Sequence, residues 1–363
     1  MNNIAAILSP FFIGMVADRF FSSEKVMGVL HIVGGGILYF ATGITETAPL
    51  ILTLLVYNAC YMPTLALVNT ISFQQMENPG EQFPKIRVWG TIGWITAGLS
   101  INFILGSLID NVELTTLPLK MAAAISVLLG MYSFSLPNTP PQNTGKDVSI
   151  GDILGIKALK LLKDTSFAVF VLSSLLISIP LAFYYSFTNL FLNDLNVDNA
   201  ASIQSIGQMS EVLFMVLMPW FFVRLGLKKM LLVGMLAWLL RYGMFAICNT
   251  DEMVWMLFLG IALHGICYDF FFVTGQIYVD KKAPKDIRAS AQGFITLITY
   301  GVGMGIGSVI SGNVLDMFTA NGQRDWATFW WIPAIFALLV ALMFYITFKQ
   351  PEEKLEIKSK SIE

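Results

Sequence analysis

The lysine and arginine residues of this chain recur at every second break between long apolar segments, and this alternation restricts the fold more than any other feature. The breaks at 43–49, 193–200 and 249–253 contain neither residue. The breaks that alternate with them are basic, with Arg19, Lys25, Lys85, Arg87, Lys146, Lys157, Lys160, Lys163, Arg224, Lys228, Lys229, Lys281, Lys282, Lys285, Arg288, Lys349, Lys354, Lys358 and Lys360. Positively charged residues concentrate on the cytoplasmic side of membrane proteins. The pattern therefore predicts a helical protein that crosses the membrane many times and ends in the cytoplasm.

Composition favours the same class. Hydrophobic residues make up 56% of the 363 residues and charged residues only 13%, which is too apolar for a soluble domain of this length. The net charge of −2 argues against a nucleic-acid partner. Cys60, Cys248 and Cys267 lie in apolar segments without CxxC spacing, so we expect neither disulfides nor a metal site. The sequence has no Ser-His-Asp set, HExxH or Walker motif, so we expect no enzyme activity and no cofactor.

Hydropathy predicts eleven membrane spans. They cover 4–17, 26–43, 49–73, 86–108, 119–136, 166–192, 202–223, 229–247, 252–277, 289–315 and 327–348. An odd number of spans with a cytoplasmic C-terminus places the N-terminus outside. Only about 16 residues precede Asp18, roughly 24 Å of helix against a hydrocarbon core of about 30 Å. We therefore expect that one helix and part of another are missing from the start, through an alternative start site or a truncated gene.

The break at 137–164 divides the chain. It separates an N-terminal helical half at 1–136 from a six-helix half at 165–348, which is followed by a tail at 349–363. Apolar and basic residues alternate in 150–163, which is typical either of a short helix on the inner membrane surface or of an ordinary basic linker. Two halves joined by a long inner connection are what a secondary transporter needs, because the halves rock around a site at the membrane midplane.

One loop motif carries a first resemblance. Gly14, Asp18 and Arg19 form a GxxxDR sequence at the inner end of the first span, and the Arg224-Leu-Gly-Leu-Lys-Lys sequence takes the equivalent place in the second half. The motif resembles the inner-face loop of the major facilitator superfamily. The resemblance implies that these residues form a conformational latch.

Five ordered blocks are similar to the bacterial nucleoside:proton symporters of that superfamily. They lie at 59–65, 86–93, 208–211, 268–271 and 287–293, and the likeness runs from residue 4 to residue 348. It implies an all-α polytopic fold of two pseudo-repeated halves, with about eleven of the family's twelve helices. It further implies symport of a nucleoside and a proton by alternating access in the bacterial inner membrane, by a protein that we expect to be monomeric.

Glu211 lies in the middle of the span 202–223, with Gln208 three residues earlier on the same helical face. An ionisable group at this depth costs several kcal/mol unless it faces a polar cavity, so Glu211 is a functional candidate. The pair offers acceptors for ribose hydroxyls, and Gln208 adds donors. The alternative is a structural contact between helices, in which Glu211 pairs with Arg241.

Asp269 is a second intramembrane carboxylate, in a span that also holds His264 and Tyr268. A carboxylate in a low dielectric can take up a proton at physiological pH, so Glu211 and Asp269 are both candidates for proton coupling. The alternative for Asp269 is a buried ion pair with Arg241 or Arg288. His264 is either a hydrogen-bonded residue of the site lining or a proton relay.

Arg87, Thr91 and Trp94 form one stripe of a helix in the first half. A base could stack on Trp94 while Arg87 and Thr91 hold polar groups, although Arg87 could instead reach to the inner membrane surface. The family resemblance implies substrate contacts at this stripe, at Gln208 and Glu211, and also at His264 and Tyr268, although the family has tyrosine where His264 stands.

One stretch departs from the family. Where the symporters present a glutamine and an asparagine to the substrate, this chain has Ala182 and Tyr185. We include Tyr185 among the predicted substrate-binding residues. The departure leaves open a transporter for another polar solute such as a sugar, and the expected loss of the first helix leaves open a relative that does not transport.

Overall fold

A computed structural model describes residues 21–76, 79–109, 111–140, 156–248, 253–284 and 288–349. Eight helices in these ranges are long and apolar enough to cross a membrane. Every predicted span from 26–43 onward coincides with a described helix, which confirms the all-α polytopic fold class. The first predicted span and the predicted latch of Gly14, Asp18 and Arg19 lie outside the described residues.

The first half contains four long helices. They are α1 (Ser23–Ala41), α2 (Thr47–Gln74), α3 (Pro79–Ser100) and α4 (Leu117–Ser133), with a π-helical turn at Ile101–Leu105 and a 3₁₀ turn at Val112–Leu114. Helix α1 packs against both α2 and α4. A Cβ on Gly130 of α4 would lie 2.8 Å from the carbonyl oxygen of Gly28, so the α1 and α4 backbones touch. Small residues permit such close crossings, which replace the hydrophobic driving force that is absent between helices in lipid.

The second half follows a 3₁₀ segment at Ile156–Lys163. Its helices are α5 (Thr165–Asp194), α6 (Ala200–Ile247), α7 (Val254–Ala262), α8 (His264–Tyr268), α9 (Thr274–Lys282), α10 (Arg288–Thr296), α11 (Met304–Met317) and α12 (Trp326–Thr347). Two π-helical turns, Asp269–Val273 and Leu297–Gly303, connect α8 to α9 and α10 to α11. A two-residue hairpin of β1 (Thr319–Ala320) and β2 (Gln323–Arg324) precedes α12.

Helix α6 is two membrane helices that meet at Gly226. This residue has φ 67° and ψ 174°, a backbone conformation that residues other than glycine rarely adopt. Just beyond the break, Lys228 donates hydrogen bonds to the carbonyl oxygens of Tyr345 and Phe348 at 3.0 and 2.7 Å. The glycine therefore makes the turn between the predicted spans 202–223 and 229–247, and Lys228 joins that turn to the end of α12.

Aromatic side chains form the core of the second half. The rings of Tyr242 and Trp330 stack at 5.4 Å with an interplanar angle of 8°, which joins α6 to α12. The hydroxyl of Tyr242 donates to the carbonyl oxygen of Pro180 in α5 at 2.5 Å. Tyr242 and Trp330 are both fully buried. This packing makes α5, α6 and α12 one rigid frame behind the surface that faces the first half.

Asp164 and Lys282 join the start of α5 to the end of α9. Their carboxylate oxygen and ammonium nitrogen are 2.8 Å apart, and Asp164 also accepts a hydrogen bond from the Phe167 amide at 2.9 Å as the N-cap of α5. The ammonium of Lys282, followed by the amide of Phe167, lowers the pKa of Asp164. A lowered pKa stabilises the fold above the ordinary carboxylate pKa, and this contribution is lost as pH falls.

Asp164→Asn is expected to retain the N-cap and to lose the ion pair, because asparagine caps as well as aspartate. At pH 7 we expect a loss of up to about 1 kcal/mol, since the pair is partly exposed. Below about pH 4 the carboxylate of the unfolded chain takes up a proton first, so the difference should shrink as pH falls toward the lowered pKa of Asp164 in the folded protein. Thermal unfolding of both proteins in detergent across this pH range measures the effect. A difference that is independent of pH would contradict the assignment.

Candidate functional site

The site begins at a close crossing of α6 and α8. A Cβ on Gly265 would lie 2.5 Å from the carbonyl oxygen of Ser210, and a Cβ on Gly207 would lie 3.1 Å from the Cβ of His264. The Ser210 hydroxyl donates to the carbonyl oxygen of Ala262 and accepts from the Gly265 amide, which bridges the break between α7 and α8. Only glycines allow the helices to approach this closely. The crossing therefore brings the segment 208–211 beside the segment 264–268.

A small, partly open cavity of about 120 Å³ lies between this crossing and α3 of the first half. The described residues that line it are Thr91, Trp94, Tyr185, Gln208, Glu211 and Tyr268. All six belong to the substrate-binding set predicted from the sequence. The side chain of Arg87 lies outside the described part of the chain.

The two halves contribute different chemistry to the cavity. The first half presents Thr91 and the indole of Trp94, which is 64% exposed. The second half presents the Gln208 amide and the Glu211 carboxylate, which is only 13% exposed. Tyr268, whose hydroxyl forms a hydrogen bond with that of Tyr300, adds an aromatic face. A ligand with a planar ring and several hydroxyl groups could stack on one half and form hydrogen bonds with the other.

His264 lies behind the cavity wall. Its side chain is 1% exposed, and its ring stacks between Tyr184 and Tyr268, with centroids 5.3 and 5.7 Å away. Its Nε2 atom is 3.9 Å from a carboxylate oxygen of Glu211. In this arrangement His264 supports two lining residues, Glu211 and Tyr268.

Arg241 lies on the far side of His264. It is fully buried, its Nη1 atom is 3.0 Å from Nδ1 of His264, and its guanidinium carbon lies 3.3 Å from the ring centroid of Tyr184. Sequence reasoning considered Arg241 as a direct partner of Glu211, whereas the structure places the imidazole of His264 between them. The sequence feature that marks Arg241 is its position inside an apolar segment, where an arginine is costly.

Asp269 is completely buried and is the first residue of the π-helical turn after Tyr268. Its backbone carbonyl accepts a hydrogen bond from the Thr274 hydroxyl at 3.2 Å. It is not among the described lining residues of the cavity. The side chain of Arg288, one of the two arginines considered as its partner, lies outside the described residues.

The two positions that depart from the resembled family have different surroundings. Tyr185 lines the cavity and is 44% exposed. Ala182 is fully buried, and a Cβ on Gly307 of α11 would lie 2.7 Å from its Cβ. A larger residue at 182 would therefore separate α5 from α11, and of the two substitutions only that at Tyr185 changes the cavity surface.

A polar cluster joins the two halves near the 193–200 break. Glu113 of the first half accepts hydrogen bonds from the Asn189 side chain at 3.0 Å and from the Ala201 amide at 2.8 Å, both of the second half. Asn102 donates to Glu113 at 2.7 Å and accepts from the Ser202 amide at 2.9 Å. We call these residues the outer cluster, after the side of the membrane that the sequence predicts for this break. Sequence reasoning missed it, because an acidic residue in a loop carries no motif.

The chain is similar to known proteins along nearly its whole length. The family described as nucleoside H+ symporter matches residues 1–353. The putative nucleoside transporter YegT of Escherichia coli (strain K12) is 43% identical over 97% of this chain and 85% of its own length. The nucleoside permease NupG of the same organism is 34% identical over 95% of this chain and 85% of its own length.

A solved structure shares the fold. The crystal structure of a mutant of nucleoside transporter NupG superposes with a TM-score of 0.87 at 33% sequence identity. The match covers 96% of this chain and 89% of that chain. A match of this coverage extends through both halves of the chain.

Proposed function

This chain belongs to the nucleoside H+ symporter family, and on that basis we propose that the cavity between its halves is the nucleoside site and that Glu211 takes part in proton coupling. Membership confirms the resemblance identified from the sequence and favours a nucleoside over the alternative of a sugar. We further propose that the chain functions as a monomer in the bacterial inner membrane, with its C-terminus in the cytoplasm.

The observation that supports the nucleoside site is the division of the lining between the halves. A nucleoside has a flat base and a sugar with several hydroxyl groups. In the proposed complex the base stacks on Trp94 of the first half, and the sugar hydroxyls donate to Glu211 and bond to Gln208 of the second half. A ligand held by both halves favours the state in which they approach each other, which is the step that alternating access requires.

Proton coupling is assigned to the carboxylate that the nucleoside would touch. The side chain of Glu211 is 13% exposed and lines the cavity, so protonation there changes the group that meets the sugar from an acceptor to a donor. Asp269 is a second candidate because it is completely buried five residues after His264. The predicted latch of Gly14, Asp18 and Arg19 and the predicted role of Arg87 remain part of the proposal.

Competition binding to the purified protein tests the nucleoside assignment. Labelled uridine should be displaced by unlabelled uridine and adenosine, and free ribose at the same concentration should displace little of it. Because Tyr185 adds an aromatic surface to the cavity, the order of preference among bases is a further readout. Displacement by ribose or hexose and not by nucleosides would overturn the assignment.

Trp94→Ala is expected to raise the dissociation constant for uridine roughly 10- to 100-fold, because stacking of a base on an aromatic side chain is worth about 1–3 kcal/mol. Trp89→Ala is the matched control, since Trp89 lies in the same helix, is 69% exposed and is not among the described lining residues. Binding measured by calorimetry should separate the two variants. Equal losses, or none in Trp94→Ala, would contradict stacking at this position.

A further inference from the structure

Arg241 is a fully buried arginine inside a membrane helix, and nothing in the proposed transport step uses it directly. A cation at such a depth is costly and is retained where it has a partner or a function. We propose that Arg241 is a positioning residue for Glu211: it fixes His264 as the neutral tautomer whose Nε2–H faces the Glu211 carboxylate. This inference rests on the proposed nucleoside site and deepens it.

The tautomer follows from the hydrogen-bonding capacity of the guanidinium. Arginine has five N–H donors and no acceptor. Nη1 of Arg241 is 3.0 Å from Nδ1 of His264, so the bond exists only if Nδ1 accepts. An imidazole that accepts at Nδ1 is neutral and carries its proton on Nε2. Protonation of both nitrogens would turn an N–H toward the guanidinium and remove this hydrogen bond.

The imidazole ring is held in place from several sides. Tyr184 stacks on it at an interplanar angle of 21°, Tyr268 at 28°, and Tyr185 contacts it edge-on at 89°. Gly207 closes the approach from α6, because even a Cβ there would lie 3.1 Å from the His264 Cβ. A flipped ring would exchange Nδ1 for a carbon atom opposite Arg241. The packing therefore fixes the direction of Nε2.

Nε2 points from this fixed ring to Glu211. It is 3.9 Å from Oε2, and the Nε2 atom has no hydrogen-bond partner within the described ranges. A modest shortening of this distance would form a hydrogen bond, and a bond from a neutral donor to a carboxylate is stronger than one between neutral groups. The imidazole thus gives the carboxylate a preferred orientation toward the cavity.

The charges of Arg241 and Glu211 add to the stability of this arrangement. Arg241 and Glu211 carry opposite charges on either side of one neutral ring, inside a region of low dielectric where such charges interact strongly. Within the described part of the chain, the other titratable groups around them are Tyr184 and Tyr185 from α5, Tyr242 from α6, and Cys267 and Tyr268 from α8. The positive charge next to His264 comes from Arg241, whose Nη1 atom lies within hydrogen-bond distance of the imidazole. The three residues therefore act as one unit, Arg241 to His264 to Glu211.

Two substitutions at His264 separate this role from simple packing. In His264→Gln, the amide oxygen can accept from Arg241 while the amide nitrogen donates toward Glu211, so the hydrogen-bonding pattern of the neutral tautomer is reproduced. In His264→Phe, the aromatic stacking with Tyr184 and Tyr268 is retained but both hydrogen bonds are lost. If His264 only fills space, phenylalanine is the better replacement. If it positions Glu211, glutamine is the better replacement.

The measurement is uridine binding to the purified full-length protein, with folding checked by thermal unfolding. We expect His264→Gln to bind within about threefold of the wild type. We expect His264→Phe to bind roughly 10- to 100-fold more weakly, because hydrogen bonds to charged groups contribute about 1.5–3 kcal/mol. Wild-type affinity in His264→Phe, or equal losses in both variants, would overturn the inference.

Variants of Arg241 provide the second test. Arg241→Lys keeps a cationic donor and should retain most of the affinity, whereas Arg241→Met keeps the length without charge or donor and should behave like His264→Phe. Should Arg241→Met fail to fold, the glutamine and phenylalanine pair at 264 decides the inference alone. If the wild-type protein binds neither uridine nor another nucleoside, the proposed function fails as well. If the wild type binds but the substitutions at 264 and 241 have no effect, only this inference fails.

Discussion

Glu211→Gln is expected to abolish the accumulation of nucleoside against a gradient while leaving membrane insertion intact. Glutamine has nearly the same shape but cannot take up or release a proton, so movement of the substrate is no longer tied to the proton gradient. The ratio of internal to external uridine should therefore fall to about one, because binding energy alone cannot drive net transport. Uptake of labelled uridine by cells that lack other nucleoside transporters measures this ratio.

Two controls make the result interpretable. Glu46→Gln is the same chemical change at an exposed position that precedes α2, and it should accumulate uridine as the wild type does. Asp269→Asn tests the second coupling candidate. Wild-type accumulation in Glu211→Gln, together with its loss in Asp269→Asn, would transfer the coupling role to Asp269.

Gly98→Val is expected to reduce uptake roughly 10- to 100-fold. Gly98 of α3 faces α6 beside the outer cluster, and a Cβ there would lie 2.2 Å from Ser205 Oγ and 3.0 Å from the Ala201 carbonyl oxygen. With a side chain at position 98 the two halves could no longer pack this closely at this end, and overpacking of this kind costs about 1–3 kcal/mol. A transporter that alternates between two states slows when one state is destabilised by this amount.

Gly93→Val is the matched control for this substitution. Gly93 lies in the same helix, and a Cβ there would meet nothing within 4 Å, so the change in helix propensity is the same without the clash. We expect near wild-type uptake from Gly93→Val at equal expression. Equal inhibition by both valines would show that α3 tolerates no branched residue, and would contradict the close contact at Gly98 as the cause.

Much of the fold follows from the sequence because membrane helices are set by local hydropathy. The spans from 26–43 onward coincide with described helices, and the break at Gly226 matches the basic loop predicted between two spans. The residues that line the cavity could also be predicted from the sequence. Thr91 and Trp94 share one helical face, and Gln208 and Glu211 share another. The helical period is therefore enough to identify each pair, without knowledge of how the two halves pack.

The support behind the cavity could not be predicted in the same way. That His264 lies between Arg241 and Glu211 depends on how α6 crosses α8, which the close contact between Gly265 and Ser210 determines. The outer cluster likewise joins Glu113 to Ala201, and hydropathy gives no information about contacts over such a distance along the chain. Hydropathy and period describe one helix at a time, whereas these contacts are made between helices.

The central claim is that this chain moves a nucleoside together with a proton through the cavity at Glu211. The most direct test is uptake of labelled uridine by proteoliposomes that contain only the purified protein, with an inwardly directed proton gradient imposed. We predict accumulation above the external concentration that collapses when a protonophore is added. Uptake that is the same with and without the gradient, or no uptake by a folded protein that binds uridine, would contradict the claim.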